Sequence, residues 1–294
     1  LFVSKKMHSG FTILALILSI VLAEKYAMVF GTADGWGNYS ISSDPCRVYT
    51  DLVRAGIKPE NIIFMAYTSI LDHRYNPYPG KIFTDPSETI DGDWAQYGCF
   101  NHVDYTNKHI NGKVFLGIIS GDKEGVAKLT GKEDPKVLNA GPEDTVFTYF
   151  IDHGSNGIIG VGDDYVHAKD FIAALETAHE KKLYGKWVWY MEACHSGSMF
   201  ENLLPADWNI YVMSSADADH DANMFNCPPM DKVAGKSLGT CLAGLWDNLF
   251  LEHLEKHPKA TIGEIFDTVH EEVEDYSDQN VSEWGDKSFR ELPL

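Results

Sequence analysis

Two residues that can act together as a nucleophile and its base follow two apolar stretches of the sequence. Cys194 comes shortly after the run 187–191, and His153 comes shortly after the run 145–151. Such short runs, rich in aromatic and β-branched residues, are typical of strands buried on both faces of a parallel sheet. Open α/β sheets place their chemistry at the carboxyl ends of the strands. Neighbouring parallel strands lie about 4.8 Å apart, so we expect the two side chains to come within reach of each other.

A thiol beside an imidazole is a nucleophile with its base, and a neighbouring imidazole is expected to lower the pKa of the thiol. Gly154 follows His153 and allows the backbone to approach a substrate closely. The backbone N–H groups of Gly154 and Cys194 could then bind the oxyanion of an acyl-transfer intermediate. A cysteine taken alone is more often buried and inert. The pair, with each member before a polar loop that contains glycine, favours nucleophilic catalysis.

The residues around this pair resemble those of a known family. Residues 192–199 read Glu-Ala-Cys-His-Ser-Gly-Ser-Met, and residues 152–155 read Asp-His-Gly-Ser. With Gly-Trp-Gly-Asn-Tyr at 35–39 and Gly-Pro-Glu-Asp at 141–144, they resemble the legumain family of cysteine endopeptidases, which includes asparaginyl endopeptidases and vacuolar processing enzymes. The resemblance covers residues 25–290. It implies a caspase-like α/β fold, a mostly parallel sheet of about six strands with helices on both faces, and chemistry that needs no metal or organic cofactor.

The resemblance also implies roles for particular residues. Asn38, just past the first predicted strand, would orient His153, and Glu192 would form a wall of the specificity pocket. The family's pocket Arg, two positions after the triad Asn, is replaced by Ser40. Its pocket Asp is replaced by Thr240, and Asp221 stands about where the family has a pocket Ser.

A pocket with these replacements is expected to be neutral to acidic. A site built around a hydrogen bond discriminates strongly only while the partner is present. We therefore expect a relaxed preference for Asn before the scissile bond, with Lys or Arg accepted at least comparably. The competing interpretation is that a neighbouring residue such as Arg47 restores the asparaginyl pocket.

Hydrophobic periodicity and cap residues predict the elements that position these side chains. The predicted strands are Tyr26–Gly31, Asn61–Tyr67, Thr145–Ile151, Trp187–Met191 and Trp208–Ser214. The predicted helices begin at Ser43 or Asp44 and end at Ala55, and then span Phe115–Ser120, Lys123–Leu129, Ala168–Lys182, Leu238–His257 and Ile262–Tyr276. Residues 68–102, rich in Asp, Pro, Gly and Tyr, are predicted to form a long irregular excursion.

Composition restricts the partners and the compartment. The net charge of −19 disfavours nucleic acid and anionic membranes as partners. The resemblance to the legumain family implies protein or peptide substrates. Lys5 and Lys6 precede an apolar run that is too short to span a bilayer, so residues 1–23 are predicted to be a cleaved signal peptide and 24–294 the catalytic domain. This predicts the secretory pathway, with a lysosomal, vacuolar or secreted destination and no stable membrane insertion. Larger legumains carry a C-terminal prodomain, so a chain that ends at Leu294 is expected to lack it or to be a fragment.

The remaining cysteines, Cys46, Cys99, Cys227 and Cys241, could form up to two disulfides in a secreted protein, and the pairing stays open. The acidic segment 217–228 begins like a calcium loop but lacks the required Gly and Glu, so no metal site is expected. Two alternative functions also stay open. One is a transpeptidase or peptide ligase, or an enzyme like the GPI transamidase, since an amine can resolve the same acyl-enzyme. The other is an inactive secreted binding protein on the same fold.

Overall fold

The protein is described here by a computed structural model that covers residues 23–293. At its centre lies a six-stranded sheet with the strand order β13-β8-β7-β3-β1-β2, in which only β13 is antiparallel to its neighbour. The strands in chain order are β1 (Lys25–Gly31), β2 (Ile62–Ala66), β3 (Thr145–Ile151), β4 (Gly154–Ser155), β5 (Ile158–Val161), β6 (Asp164–His167), β7 (Lys186–Glu192), β8 (Ile210–Ser214), β9 (Met224–Phe225), β10 (Lys232–Val233), β11 (Lys236–Ser237), β12 (Ala243–Gly244) and β13 (Ser282–Gly285).

Helices cover both faces of the sheet. They are α1 (Ser40–Arg54), α2 (Gly112–Ile119), α3 (Lys123–Thr130), α4 (Ala168–Glu180), α5 (Leu245–Lys256) and α6 (Ile262–Tyr276). One apolar core lies between the sheet and α1, α5 and α6, and a second lies between the sheet and α2, α3 and α4. Because side chains alternate along a strand, each central strand contributes to both cores. The predicted fold, a mostly parallel sheet of about six strands with helices on both faces, is confirmed.

Three predicted helix starts are wrong. Helix α2 begins at Gly112 instead of Phe115, because the Asn111 side chain caps it by accepting a hydrogen bond from the Val114 N–H. Helix α1 begins at Ser40 instead of Ser43 or Asp44 because the preceding turn at Trp36–Asn38 runs directly into it. Helix α5 begins at Leu245 instead of Leu238. The residues before Leu245 are held in extended form by the pairing of β12 with β9 and by the disulfide between Cys227 and Cys241.

A strand absent from the sequence prediction completes the sheet. Strand β13 follows α6 and pairs antiparallel with β8, with Ser282 opposite Ser214. It is only four residues long and partly exposed, so it lacks the dense apolar run that identified the central strands. Its position covers one edge of the parallel sheet, where unpaired backbone groups would otherwise face solvent.

Two disulfides form in the described part of the chain and resolve the open pairing. Cys46 of α1 is bonded to Cys99, which ties the excursion 68–102 to that helix, and Cys227 is bonded to Cys241. Cys194 is left as a free thiol. Between residues 23 and 293 the helices are too short, or not apolar enough, for any of them to cross a membrane. The predicted signal peptide, apart from its last residue Ala23, lies outside the described residues.

Candidate active site

The register of the two central strands brings His153 and Cys194 together. In the parallel pair β3–β7, Ile151 lies opposite Glu192, so the same offset two residues later sets His153 opposite Cys194. Gly154 packs directly on the backbone of this edge, because a Cβ built on it would lie 2.3 Å from the carbonyl oxygen of Cys194. Any side chain at position 154 would separate the two strand ends. Glycine is therefore required here for close approach.

Asn38 contacts the imidazole from the turn Trp36–Asn38, which lies between β1 and α1. His153 Nε2 donates to Asn38 Oδ1 at 2.9 Å, while Asn38 Nδ2 donates to the carbonyl oxygen of Asp34 at 2.8 Å. The second bond orients the amide so that its oxygen faces the ring. A proton held on Nε2 leaves the lone pair of Nδ1 free to accept the proton of a nucleophile. The structure therefore brings Asn38 into hydrogen-bond contact with His153.

Asp152 anchors the loop that carries His153, a role that the sequence analysis missed. Its carboxylate accepts hydrogen bonds from the backbone N–H of His153 at 2.6 Å and from the hydroxyl of Thr32. Burial raises the pKa of Asp152, and both hydrogen bonds oppose that rise. An acidic residue directly before the predicted base is the signal that could have identified it. Strand β3 ends at Ile151, so these bonds hold the backbone at His153 in place where the hydrogen bonds between strands stop.

The thiol of Cys194 is half-buried and donates to the carbonyl oxygen of Ala222 at 3.7 Å. Burial raises its pKa, and the nearby Asp221 carboxylate raises it further. The expectation of a lowered thiol pKa is therefore wrong for this structure, because desolvation and a negative neighbour both disfavour the thiolate. To act as a nucleophile, the thiol would have to be deprotonated when a substrate is in place. Apo geometry of this kind commonly tightens on binding.

His195 holds the acidic loop 217–223 beside Cys194 through three contacts. This residue adopts a left-handed conformation, with φ of 55°, directly after Cys194. Its backbone N–H donates to His220 O at 2.9 Å and its Nδ1 contacts Ala218 O at 2.9 Å. Its Nε2 lies 3.3 Å from Asp221 Oδ1. Asp221 itself is largely exposed, so it borders the thiol without lining a closed pocket.

The other predicted pocket residues are buried. Glu192 is 1% exposed and its two carboxylate oxygens lack hydrogen-bond partners. The Ser40 hydroxyl donates to Met224 Sδ at 3.0 Å, and the Thr240 hydroxyl donates to Trp36 O at 2.9 Å. The thioether of Met224 therefore covers the position where the family carries its pocket Arg. Within residues 23–293, no group of three or more His, Cys, Asp or Glu side chains has the geometry of a metal site.

Comparisons with known proteins show what this chain is similar to. The chain is 35% identical to a hemoglobinase of Schistosoma japonicum over 92% of its own length and 59% of the relative's. It is 33% identical to the vacuolar-processing enzyme beta-isozyme of Arabidopsis thaliana over 92% of its own length and 55% of the relative's. The chain thus spans a little over half the length of these relatives.

The structure is similar to a crystal structure of caspase-1 from Spodoptera frugiperda, with a TM-score of 0.51, 10% identity, and coverage of 90% of this chain and 86% of that one. At that identity the likeness shows the fold alone. The model of the peptidase C13 family matches residues 25–294, which contain Asn38, His153 and Cys194. The chain therefore belongs to the peptidase C13 family, the legumain family that its motifs resemble.

Proposed function

We propose that the protein is a cysteine endopeptidase that cleaves peptide bonds through an acyl-enzyme. The observation that carries this proposal is the convergence of two strand ends and one turn at the same edge of the sheet. Asn38 holds the Nε2 side of His153 at 2.9 Å, and the strand register sets His153 opposite Cys194. A nucleophile, a base and an orienting amide in this order are the parts of a Cys-His-Asn triad.

In the proposed reaction, His153 transfers protons between the Cys194 thiol, the leaving amine and the attacking water. His153 Nδ1 takes the proton of Cys194 as Sγ attacks the carbonyl carbon of the substrate, and the backbone N–H groups of Cys194 and Gly154 stabilise the oxyanion. The imidazolium then gives its proton to the leaving amine, and a thioester remains. A water molecule, deprotonated by the same imidazole, attacks the thioester and releases the acid and the free thiol. Every proton taken from the thiol or the water is returned, so no metal or redox cofactor is required.

Replacement of the two reacting side chains tests this mechanism. Cys194→Ala and His153→Ala should each lower kcat/KM on peptide substrates by about 10⁴-fold or more while the fold is kept. His257→Ala, which changes an exposed histidine at the end of α5, is the matched control and should keep wild-type activity. A thiol-reactive peptide probe should label the wild type and spare Cys194→Ser. Peptide cleavage by Cys194→Ala at the wild-type rate would refute the mechanism.

Asn38 is a positioning residue in this scheme, since it contacts His153 and not the substrate. Asn38→Ala should reduce kcat by about 10–100-fold with a small change in KM, because the imidazole loses its fixed tautomer and orientation. The acidic limb of the pH–rate profile should move as well, because a side chain bonded to His153 changes the titration of the catalytic pair. A purely structural role would lower stability and leave the pH profile of the folded fraction unchanged.

We also propose that the preference for Asn before the scissile bond is relaxed. The Arg47 guanidinium, which could have replaced the missing cation, contacts Glu255 at 3.0 Å and Asn248 at 3.5 Å instead of the pocket. Ser40 and Thr240 offer only hydroxyls, both already hydrogen-bonded. Matched peptides that differ only at this residue test the idea. Cleavage after Asn alone, with none after Lys, Arg or small neutral residues, would reject it.

The proposed setting is an oxidising and acidic compartment of the secretory pathway, vacuolar or lysosomal, with proteins as substrates. Two disulfides support an oxidising environment, and relatives of this chain are named vacuolar-processing enzymes. Activity should peak at mildly acidic pH and report the coupled titration of the Cys–His pair. A rate that only increases between pH 7 and 9, as for an unassisted thiol, would contradict this setting.

A further inference from the structure

Three buried carboxyl groups converge on one glycine behind the nucleophile. Asp44 of α1, Glu192 of β7 and Asp247 of α5 are each at most 1% exposed. The Gly244 N–H donates to Asp44 Oδ2 at 2.8 Å. A Cβ built on Gly244 would lie 2.2 Å from Asp247 Oδ2 and 3.4 Å from Glu192 Oε1. We call Asp44, Glu192 and Asp247 the carboxyl triad.

The triad has too few hydrogen-bond donors for three ionised carboxylates. Tyr149 OH donates to Asp247 Oδ1 at 2.8 Å, and Gly244 donates to Asp44. The other four oxygens, two of them on Glu192, are buried without a well-aligned partner, although the Ser215 hydroxyl lies near Glu192 and lowers the pKa of its carboxyl. A buried anion without partners is strongly unfavourable. A protonated carboxyl becomes a donor and can satisfy a neighbouring carboxylate, so the geometry favours shared protons.

Counter-charge is scarce around the triad. The nearest guanidinium, Arg47, is 4% exposed and pairs with Glu255 at 3.0 Å. The elements packed against the triad also carry ionisable groups that are neutral or negative. These are Tyr39 in the turn before α1, Glu88 in the excursion 68–102, Tyr149 on β3 and Tyr190 on β7. None of these four residues can carry a positive charge, so Arg47 is the one cation among the groups named around the three carboxylates.

The triad lies next to the site where a substrate would sit. Glu192 is the last residue of β7, and Cys194 follows two residues after it. Gly244 pairs with Met224 between β12 and β9, and Ala222, two residues before Met224, accepts from the Cys194 thiol at 3.7 Å. Met224 is partly exposed, and its flexible side chain accepts a hydrogen bond from the Ser40 hydroxyl. A substrate side chain that displaces Met224 would meet Glu192 and its two acidic neighbours.

We propose that Asp44 and Asp247 share protons with Glu192, and that the charge of this triad determines which residue is accepted before the scissile bond. An ionised triad selects Lys or Arg, whose cation supplies the missing counter-charge. A protonated triad offers O–H donors and accepts neutral polar side chains such as Asn. The inference rests on the proposed peptidase function and assigns to Asp44 and Asp247 a part in selecting the substrate.

Burial raises the pKa of each member, and the charges of the other members raise those of Asp44 and Glu192 further. The pKa of Asp247 is raised to about 7. As the pH falls through these raised values the triad takes up protons, and the preference for a cationic residue should fall with it. The ratio of two substrates isolates this effect, because the titration of His153 and Cys194 affects both equally.

The experiment compares three peptides that are identical except for Lys, Asn or Leu before the scissile bond. In the wild type, the Lys:Asn ratio of kcat/KM should increase on the order of tenfold or more as the pH is raised from about 4.5 to about 8. Asp247→Asn keeps an acceptor for Tyr149 and removes one titrating carboxyl. It should lower the Lys:Asn ratio at neutral pH by on the order of tenfold and flatten its pH dependence.

Asp267→Asn is the matched control, because it makes the same chemical change on an exposed residue that pairs with Arg290. It should leave the Lys:Asn ratio at the wild-type value. Thermal unfolding of each variant confirms that it is folded. A ratio in the wild type that does not depend on pH, or one that Asp247→Asn leaves unchanged, overturns the inference while peptidase activity stands.

Infrared difference spectroscopy provides a readout that does not depend on activity. The wild type should keep a protonated-carboxyl band at neutral pH that is reduced in Asp247→Asn and unchanged in Asp267→Asn. Absence of that band in the wild type overturns the inference. Failure to cleave all three peptides, with the band present, would reject the proposed function and leave proton sharing in the triad supported.

Discussion

The helices on the two faces of the sheet bury different kinds of residue. On one face, α2 and α4 bury only apolar residues and glycine, with Phe115 and Phe171 stacked at 6.2 Å. On the other face, α1 buries Asp44 and Arg47, and α5 buries Asp247 and Asn248. The two cores are otherwise alike in their large aromatic residues. The two faces therefore differ in whether their helices bury ionisable side chains.

This difference separates a structural face from a functional one. Apolar burial stabilises a protein at any pH, whereas buried carboxyls with too few partners cost stability and depend on pH. The costly groups lie behind Glu192 and Cys194, where a substrate would use them. Pocket residues commonly have perturbed pKa values. The comparison therefore predicts that mutations on the apolar face change stability uniformly with pH, and that mutations in the triad do not.

The largest effect is expected from a cavity in the apolar face. Trp189 is fully buried and packs edge-on against Phe171 with ring centroids 5.1 Å apart. Trp189→Ala should lower the free energy of unfolding by roughly 3–5 kcal/mol, because the space cannot collapse completely. Urea denaturation at acidic and at neutral pH measures this loss, which should be the same at both. A loss that changes sign or doubles between the two pH values would break the distinction between the faces.

The next effect concerns the disulfide that supports the functional face. The bond between Cys46 and Cys99 closes a loop across a sequence separation of 53. Replacing both cysteines with Ser should cost about 2–4 kcal/mol, chiefly because the unfolded chain regains the freedom of that loop. Denaturant melts under non-reducing conditions give the value, and the Cys227–Cys241 pair, with a separation of 14, should cost less. A larger cost for the shorter loop would contradict a cost set by loop entropy.

A smaller and pH-dependent effect is expected from Asp247→Asn. Burial raises the pKa of Asp247 to about 7, so the folded protein keeps its proton at pH values where the unfolded chain has lost it. Stability is then greatest below the unfolded pKa and falls as the pH rises towards about 7. The Asn variant lacks this titration and should gain roughly 1–3 kcal/mol over the wild type at neutral pH, with little difference near pH 4. A wild type whose melting temperature rises steadily from pH 4 to pH 7 would contradict this prediction.

The smallest effect is expected from a polar pair on the apolar face. Trp187 Nε1 donates to Thr148 Oγ1 at 2.8 Å, and both residues are buried. Thr148→Val removes the acceptor, leaves the indole N–H without a partner and should cost about 1 kcal/mol. Neither group titrates near neutral pH, so the cost should be the same at acidic and neutral pH. Denaturation of the variant at both pH values tests whether it is the titratable groups, and not polar groups in general, that distinguish the two faces.

Local patterns in the sequence were sufficient for much of the structure. The apolar runs that precede His153 and Cys194 predicted adjacent parallel strands, which the structure confirms. Helix α6 has the predicted bounds, because its apolar spacing and its Thr261 capping box are contained within one segment. The family could be recognised for the same reason, since its motifs are short and contiguous. Features determined by neighbours a few residues away can be read from the chain.

Only the tertiary structure decided which distant residues meet. The pairing of the disulfides, the added strand β13 and the late start of α5 each depend on contacts between segments far apart in sequence. Glu192 could be identified from the sequence as a pocket residue, but Asp44 and Asp247 could not. Asp44 lies 148 positions before Glu192 and Asp247 lies 55 positions after it, and the three meet around Gly244 only in the folded protein. The sequence alone does not distinguish a buried carboxyl group from a solvated one. Packing between distant segments determines whether the group is buried, and burial in turn determines whether it is charged.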